Sequence, residues 1–262
     1  MTTTLVRPAA PRPLRCYTAT TVRILRQLRA DHRTVAMLLL VPALLLALLY
    51  FVYQDSPTAP GMPRLFDRVG ISMLGILPFI VMFLITAIAM QRERTSGTLE
   101  RLMTTPLSKL DLLAGYGTAF STAAAAQAGL ACLVAFGLLG LESAGSVWLV
   151  LLIAVVDAAL GVALGLLASA FARTEFQAVQ FMPLVVGPQF FLCGLLVPRA
   201  QLPDWLEVIS NVLPLSYAVD ALQQVSRNPG ATGEMWRDLA IVAAFAAVAL
   251  ALGAATLRRR TA

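Results

Sequence analysis

Six apolar runs alternate with short polar segments along the chain, at about 35–53, 70–90, 112–140, 147–172, 176–197 and 239–257. Each is near or above the ~18 residues that mark a transmembrane helix. The pattern predicts an all-α integral membrane protein with six transmembrane helices. The expected layout is a tail and interfacial helix over 1–34, a six-helix membrane domain over 35–257 and a basic tail over 258–262.

The polar segments carry patterns of their own. Residues 1–13 show no periodicity and read as disordered. Over 14–33, Tyr17, Thr21, Ile24, Leu25 and Leu28 share one helical face, while Arg23, Arg26, Arg29 and Arg33 line another. This predicts an amphipathic helix in the membrane interface with its arginines among lipid phosphates. A cytoplasmic extension of the first span fits the same pattern. Pro42 and Pro78 predict kinks in the first two spans, as packing features or as gating hinges.

The segment 91–111 is the most punctuated. Gly97 stops a helix continuing from the second span. A short helix follows over 98–104, with Glu100 in its first turn, and Pro106 ends it. Ser108 and Asp111 form a capping box for the third span. Near the other end, 198–225 reads as two short amphipathic helices. Asp204 and Glu207 make a D-x-x-E box after Pro203, with Trp205, Val208, Ile209 and Val212 on one face. Pro214 breaks this helix, and Leu215, Ala218, Val219, Leu222 and Val225 line the next. At about ten residues each, half a crossing, they predict an external re-entrant or interfacial hairpin. It serves either as a lid over an outer mouth or as an anchor at headgroup depth.

Composition supports the membrane reading. The chain is 58% hydrophobic and 13% charged, against about 25% charged in soluble domains. Its net charge of +6 is unevenly placed: alternate segments between runs hold 15 and 5 basic residues. By the positive-inside rule, both termini and 91–111 are cytoplasmic. The basic excess therefore points to anionic lipid and topology, and away from nucleic acid. An n-region of over thirty residues argues against a cleavable signal peptide. Three cysteines outside any external loop imply no disulfide framework, and His32, the single histidine, cannot form a metal site alone.

Within the spans, Asp157 stands mid-way along the fourth, where a lone charge costs roughly 2.5–3.5 kcal/mol. It predicts a polar cavity, a subunit interface or a protonated carboxyl. Gly161 and Gly165 follow as a small-residue pair for close helix approach. Phe181, Phe190 and Phe191, near Pro183 and Pro188, are candidates for an apolar substrate path or for lipid-facing packing. The one lysine, Lys109, has no glycine-rich loop before it, which excludes a phosphate-loop ATPase. No H-E-x-x-H motif or Ser/His pair supports an intramembrane enzyme.

The pattern E-R-x-x-G-T-L-E-R-L-x-x-x-P-x-S, carried by Glu93, Arg94, Gly97, Thr98, Leu99, Glu100, Arg101, Leu102, Pro106 and Ser108, resembles the signature of permease subunits of type-2 ATP-binding-cassette exporters. The daunorubicin-resistance permeases are the nearest branch. A second stretch agrees: Phe190, Phe191 and Gly194 through Pro198, then Pro203, Trp205 and Leu206, then Pro214, Tyr217, Asp220, Ala221 and Leu222. Cys193 stands where the family has Ser. Gln223 stands where it commonly has Arg, so no salt bridge is carried over to that position.

The resemblance implies that 91–111 holds the coupling helix, with Arg92 beside the motif. It implies a lid including Pro198, Pro203, Asp204, Trp205, Glu207, Pro214, Tyr217 and Asp220. Two ATP-binding subunits and a second permease would complete the exporter, ATP and Mg would bind at the partner, and this chain would bind no cofactor. The cargo would be a hydrophobic or amphipathic drug, antibiotic or lipid-like molecule crossing a bacterial plasma membrane, or a lipid-linked glycan. A secondary transporter using Asp157 is the alternative from another class. It predicts two related halves and several midplane charges, whereas the first three spans do not visibly repeat and one such charge exists.

Overall fold

A computed structural model describes residues 13–57, 63–103 and 108–256, and among these every regular element is helical. The amphipathic stretch forms α1 (Pro13–Ala30) and ends before Asp31, which caps α2 (His32–Tyr53). The Asp31 carboxylate accepts the Thr34 N–H at 3.1 Å and the Thr34 hydroxyl at 2.6 Å. These bonds hold its carboxyl below the usual range. The arginine-bearing stretch is thus its own helix, not an extension of the first span, and His32 and Arg33 belong to α2.

α3 (Leu65–Thr95) is 31 residues long and extends past the expected span at both ends. Gly97, at φ +72°, stops it in the left-handed conformation that glycine adopts without strain. α4 (Thr98–Met103) follows as the short helix expected there. Ser108 starts α5 (Lys109–Cys132) by accepting the Asp111 N–H at 3.0 Å. A π-helical turn (Leu133–Leu138) prolongs α5. Ser108→Ala is expected to cost about 1 kcal/mol, and Ser108→Gly only a few tenths, read as detergent-phase thermal unfolding.

α6 (Val147–Ala168) ends four residues before the apolar run does; the Ser169 hydroxyl donates to Leu166 O at 2.6 Å and the chain turns through Phe171. α7 (Glu175–Leu192) has 18 residues and carries Gln177, Gln180, Gln189 and two prolines. These dilute its hydropathy. Five helices among the described residues are long and apolar enough to cross a membrane, not six: α2, α3, α5 with its continuation, α6 and α10 (Gly233–Thr256). α10 begins six residues before its apolar run, because Thr232 accepts the Met235 N–H.

The predicted hairpin is a 3₁₀ turn (Arg199–Gln201), α8 (Asp204–Ser210) and α9 (Pro214–Arg227). The expected Asp204–Glu207 box does not form. Pro203 occupies the cap, its carbonyl accepting from Leu206 and Glu207, so Asp204 is already in the first turn. α9 runs 14 residues rather than ten and buries Leu215, Ala218, Val219, Leu222 and Val225 as the pattern predicts. α8 instead leaves Trp205, Val208 and Ile209 exposed, as is Val212 just beyond it.

α3 and α6 form the central pair, packed more extensively than any other two helices. The reason is Gly161 and Gly165. A Cβ at Gly161 would fall within contact of Phe79 O, and one at Gly165 would lie 2.5 Å from Phe83 O. Backbone meets backbone, as small residues in membrane helices permit. Around this pair sit α1 and α5 at one end, joined through Ile24, Leu112, Leu113 and Tyr116. At the other end α9 lies under the 144–146 loop, where Gly145 N donates to Val225 O at 2.9 Å.

Candidate functional site

Two polar regions stand at opposite ends of α3, one at 91–111 and one at 193–227. At the first, the last turns of α3 present Arg92, Glu93 and Arg94 in three directions. Arg92 is exposed and its Nε donates to Glu175 Oε2 at 3.0 Å, joining the end of α3 to the start of α7. Glu93 turns into the protein, 3.4 Å from Arg23 of α1. The same guanidinium donates to the Tyr116 hydroxyl of α5 at 2.6 Å and lies 5.8 Å over that ring. Arg23 therefore turns inward, away from the face expected to meet lipid phosphates, while Arg26 and Arg29 stay exposed. It links three helices, a role its spacing alone did not separate from that of its neighbours. Arg94 is half-buried.

Beyond Gly97, the Thr98 hydroxyl lies 3.0 Å from that of Ser96. Leu102 packs on the core formed by α1, α3 and α5, while Arg101 is exposed. Helix α4 is thus seated on the bundle through Leu102, with Arg101 exposed. The side chains of Leu99 and Glu100, and Pro106 as a whole, lie outside the described residues. A cavity of about 650 Å³ opens beside this region between α1, α2, α3 and α5.

At the second region, Arg199 is the organising residue, and no motif pointed to it. Its guanidinium donates to Asp220 and to the Asn211 side chain, and lies 5.3 Å over the Tyr217 ring. Tyr217 in turn donates to Asn211 O at 2.6 Å. The partner of Asp220 thus comes from the 3₁₀ turn, 21 residues earlier in the chain. Burial pushes the Asp220 carboxyl above its usual range, against the pull of Arg199. The α8–α9 turn is tied to α7 by Ser210, whose hydroxyl donates to Leu192 O at 2.8 Å, and by Gln189, which accepts the Leu215 N–H at 3.2 Å. Glutamine inside an apolar run needs such a partner, which was the available signal for Gln189. Pro198, Pro203, Asp204 and Glu207 are exposed, and Pro214 is buried.

The path candidates do not converge. Asp157 is fully buried between α3 and α9, such that a Cβ on Gly75 would sit 3.2 Å from its Oδ2 and 2.7 Å from Leu222. It does not line the 650 Å³ cavity. Phe181 and Phe190 pack on the core shared by α3, α6 and α9. Phe191 meets Phe190 edge-on at 5.6 Å but is exposed. Cys132 and Cys193 are buried free thiols. Among the described residues no group of three or more His, Cys, Asp or Glu is placed to hold a metal.

Ion pairs thus join separate helical elements in both regions, Arg92 to Glu175 in one and Arg199 to Asp220 in the other. The family model described as ABC-2 type transporter matches residues 15–226. "ABC transporter G family member 20" of Dictyostelium discoideum is 27% identical over 65% of this chain and 24% of its own length. "Probable multidrug ABC transporter permease YbhR" of Escherichia coli (strain K12) is 24% identical, over 64% of this chain and 46% of that protein. "Linearmycin resistance permease protein LnrN" of Bacillus subtilis (strain 168) is 27% identical, over 63% and 43%. The matched stretches thus span less than half the length of these curated relatives. Five apolar helices, a capped turn at the end of α3 and a family match over most of the length lead to one statement: this chain is a membrane permease belonging to the ABC-2 type transporter family.

Proposed function

We propose that the chain is the membrane subunit of an exporter whose energy comes from a separate ATP-binding subunit. Two copies of that subunit, holding ATP and Mg, would grip the 91–111 segments of two permeases. α7 serves as the sixth crossing, so that both termini and α4 are cytoplasmic in a bacterial plasma membrane. The relatives with multidrug and linearmycin-resistance names support a hydrophobic or amphipathic cargo of the drug or antibiotic kind. The observation that carries the reading is α4: it is anchored on the bundle through Leu102, while Arg101 is exposed. Arginine is suited to forked recognition of a carboxylate on a partner.

Movement entering at α4 passes to α3 through the Gly97 turn, and from the end of α3 to α7 through Arg92 and Glu175. α3 carries α6 with it, since their backbones touch at Gly161 and Gly165. α7 carries the external turn through Ser210 and Gln189. The nucleotide state of the partner biases this two-state element. Burial of Asp157 away from the large cavity favours a packing role over ion coupling.

The test is reconstitution with the ATP-binding partner. Arg101→Ala and Glu100→Ala are expected to leave the complex assembled and hydrolysing ATP. Cargo moved per ATP should fall at least about tenfold, the loss of one charge-assisted contact. Full transport by both variants, or uphill transport by the isolated permease, would refute the proposal.

A further inference from the structure

The cavity between α1, α2, α3 and α5 is graded along its length. Its deep wall is apolar, with Val41 of α2, Val81 and Ile85 of α3 and Phe120 of α5. Its mouth is polar, with Asp31 at the start of α2, Arg92 at the end of α3 and Glu93, which is already paired with Arg23. From Ile80 to Arg92, α3 rises about 18 Å, close to one leaflet of a hydrocarbon core about 30 Å thick. The cavity volume of about 650 Å³ lies within the roughly 300–1,000 Å³ of small-molecule sites. Its α2 rim reaches outward, with Met37 64% exposed. In a bilayer, apolar walls at this depth face lipid tails, which fill the space without the cost of ordering water against them.

The charges at the mouth select among lipids. Thr34 occupies one position on each Asp31 oxygen, and a carboxylate has about four such positions. The remaining ones are available to an ammonium group. Arg92 uses its Nε toward Glu175, and its terminal nitrogens are suited to a phosphate. With Glu93 held by Arg23, Asp31 and Arg92 put an acid and a base on the same opening. That is the complement of a zwitterion, not of an anionic headgroup.

We infer that this cavity is a binding site for one amine-bearing, zwitterionic phospholipid of the leaflet at the α4 end, one of its two acyl tails between α2 and α3 and its headgroup between Asp31 and Arg92. The site lies inside one chain, so it does not depend on cargo or on assembly with a motor.

The full chain, purified in detergent and offered an equimolar mixture of phosphatidylethanolamine and phosphatidylglycerol, is read by native mass spectrometry. One phosphatidylethanolamine per chain should be retained, at about a tenfold preference. Asp31→Asn keeps the helix cap but should abolish that preference. Val81→Trp fills the cavity and should lose retained lipid altogether. Equal or greater retention of phosphatidylglycerol would overturn the proposal. So would an undiminished preference in Asp31→Asn, or full retention in a folded Val81→Trp, which marks loosely associated lipid elsewhere. If Val81→Trp fails to fold, Asp31→Asn decides alone.

Discussion

Gly161→Leu is expected to yield no folded permease. The α6 backbone at this position touches the Phe79 carbonyl of α3, so any side chain must push two helices apart. The obstacle is backbone and cannot rotate away. Overpacking an ordinary core costs about 1–3 kcal/mol. Here the separation also forfeits the contacts of Gly165 with Phe83 and Ala87, so the loss should reach or pass the top of that range. Against a total stability of roughly 5–15 kcal/mol, such a loss should appear as aggregation on size-exclusion chromatography. Gly165→Leu should behave alike. Gly129→Ala is the control, since nothing lies within 4 Å of a Cβ there. It should match the parent or gain up to about 1 kcal/mol from helix propensity. A monodisperse Gly161→Leu chain with the parental unfolding temperature would show that α3 and α6 do not meet through backbone.

Arg199→Ala is expected to have the second largest effect. It removes the counter-charge of Asp220, the donor to Asn211 and the cation over Tyr217 at one stroke. Breaking a buried ion pair costs about 3–5 kcal/mol. The Asp220 side chain is one-third exposed, so solvent relieves part of the penalty and about 2–3 kcal/mol is expected. Limited proteolysis should then cut within 193–213 faster than in the parent. Arg227, exposed and bonded only locally to Gln223, should be replaceable by alanine within about 0.5 kcal/mol. Adding Asp220→Asn to Arg199→Ala should recover part of the loss, because it removes the uncompensated charge. No recovery would place the role of Arg199 in packing alone.

These two sites differ in how far the sequence exposed them. The G-x-x-x-G spacing is a local signal with a steric meaning, so its use against another helix followed from the chain itself. The same holds for Gly97, Ser108 and Pro214, where a turn or cap depends on residues within one helical turn. Arg199 meets Asp220 across 21 positions, and no local rule selects it. Arg23 shared its helix with other arginines and became distinct only when Tyr116 and Glu93 came beside it. The Asp204–Glu207 box failed for a smaller reason: the proline before it took the cap and shifted the frame by one residue. α7 was overextended because Leu195, Leu196 and Val197 are apolar, yet the chain leaves the helix at Cys193 and turns at Gly194, φ +89°. Apolar composition sets where a chain can be buried, not where its backbone must remain helical.

One dimension of α3 bears on how force could be amplified. Its 31 residues make a rod about 46 Å long, well beyond a hydrocarbon slab of about 30 Å. Pro78 stands part-way along it, 17 residues before Thr95. With a fulcrum there, a tilt of about ten degrees would sweep the far tip through roughly 4 Å, so a modest angular change inside the bilayer corresponds to several ångströms of stroke beyond it.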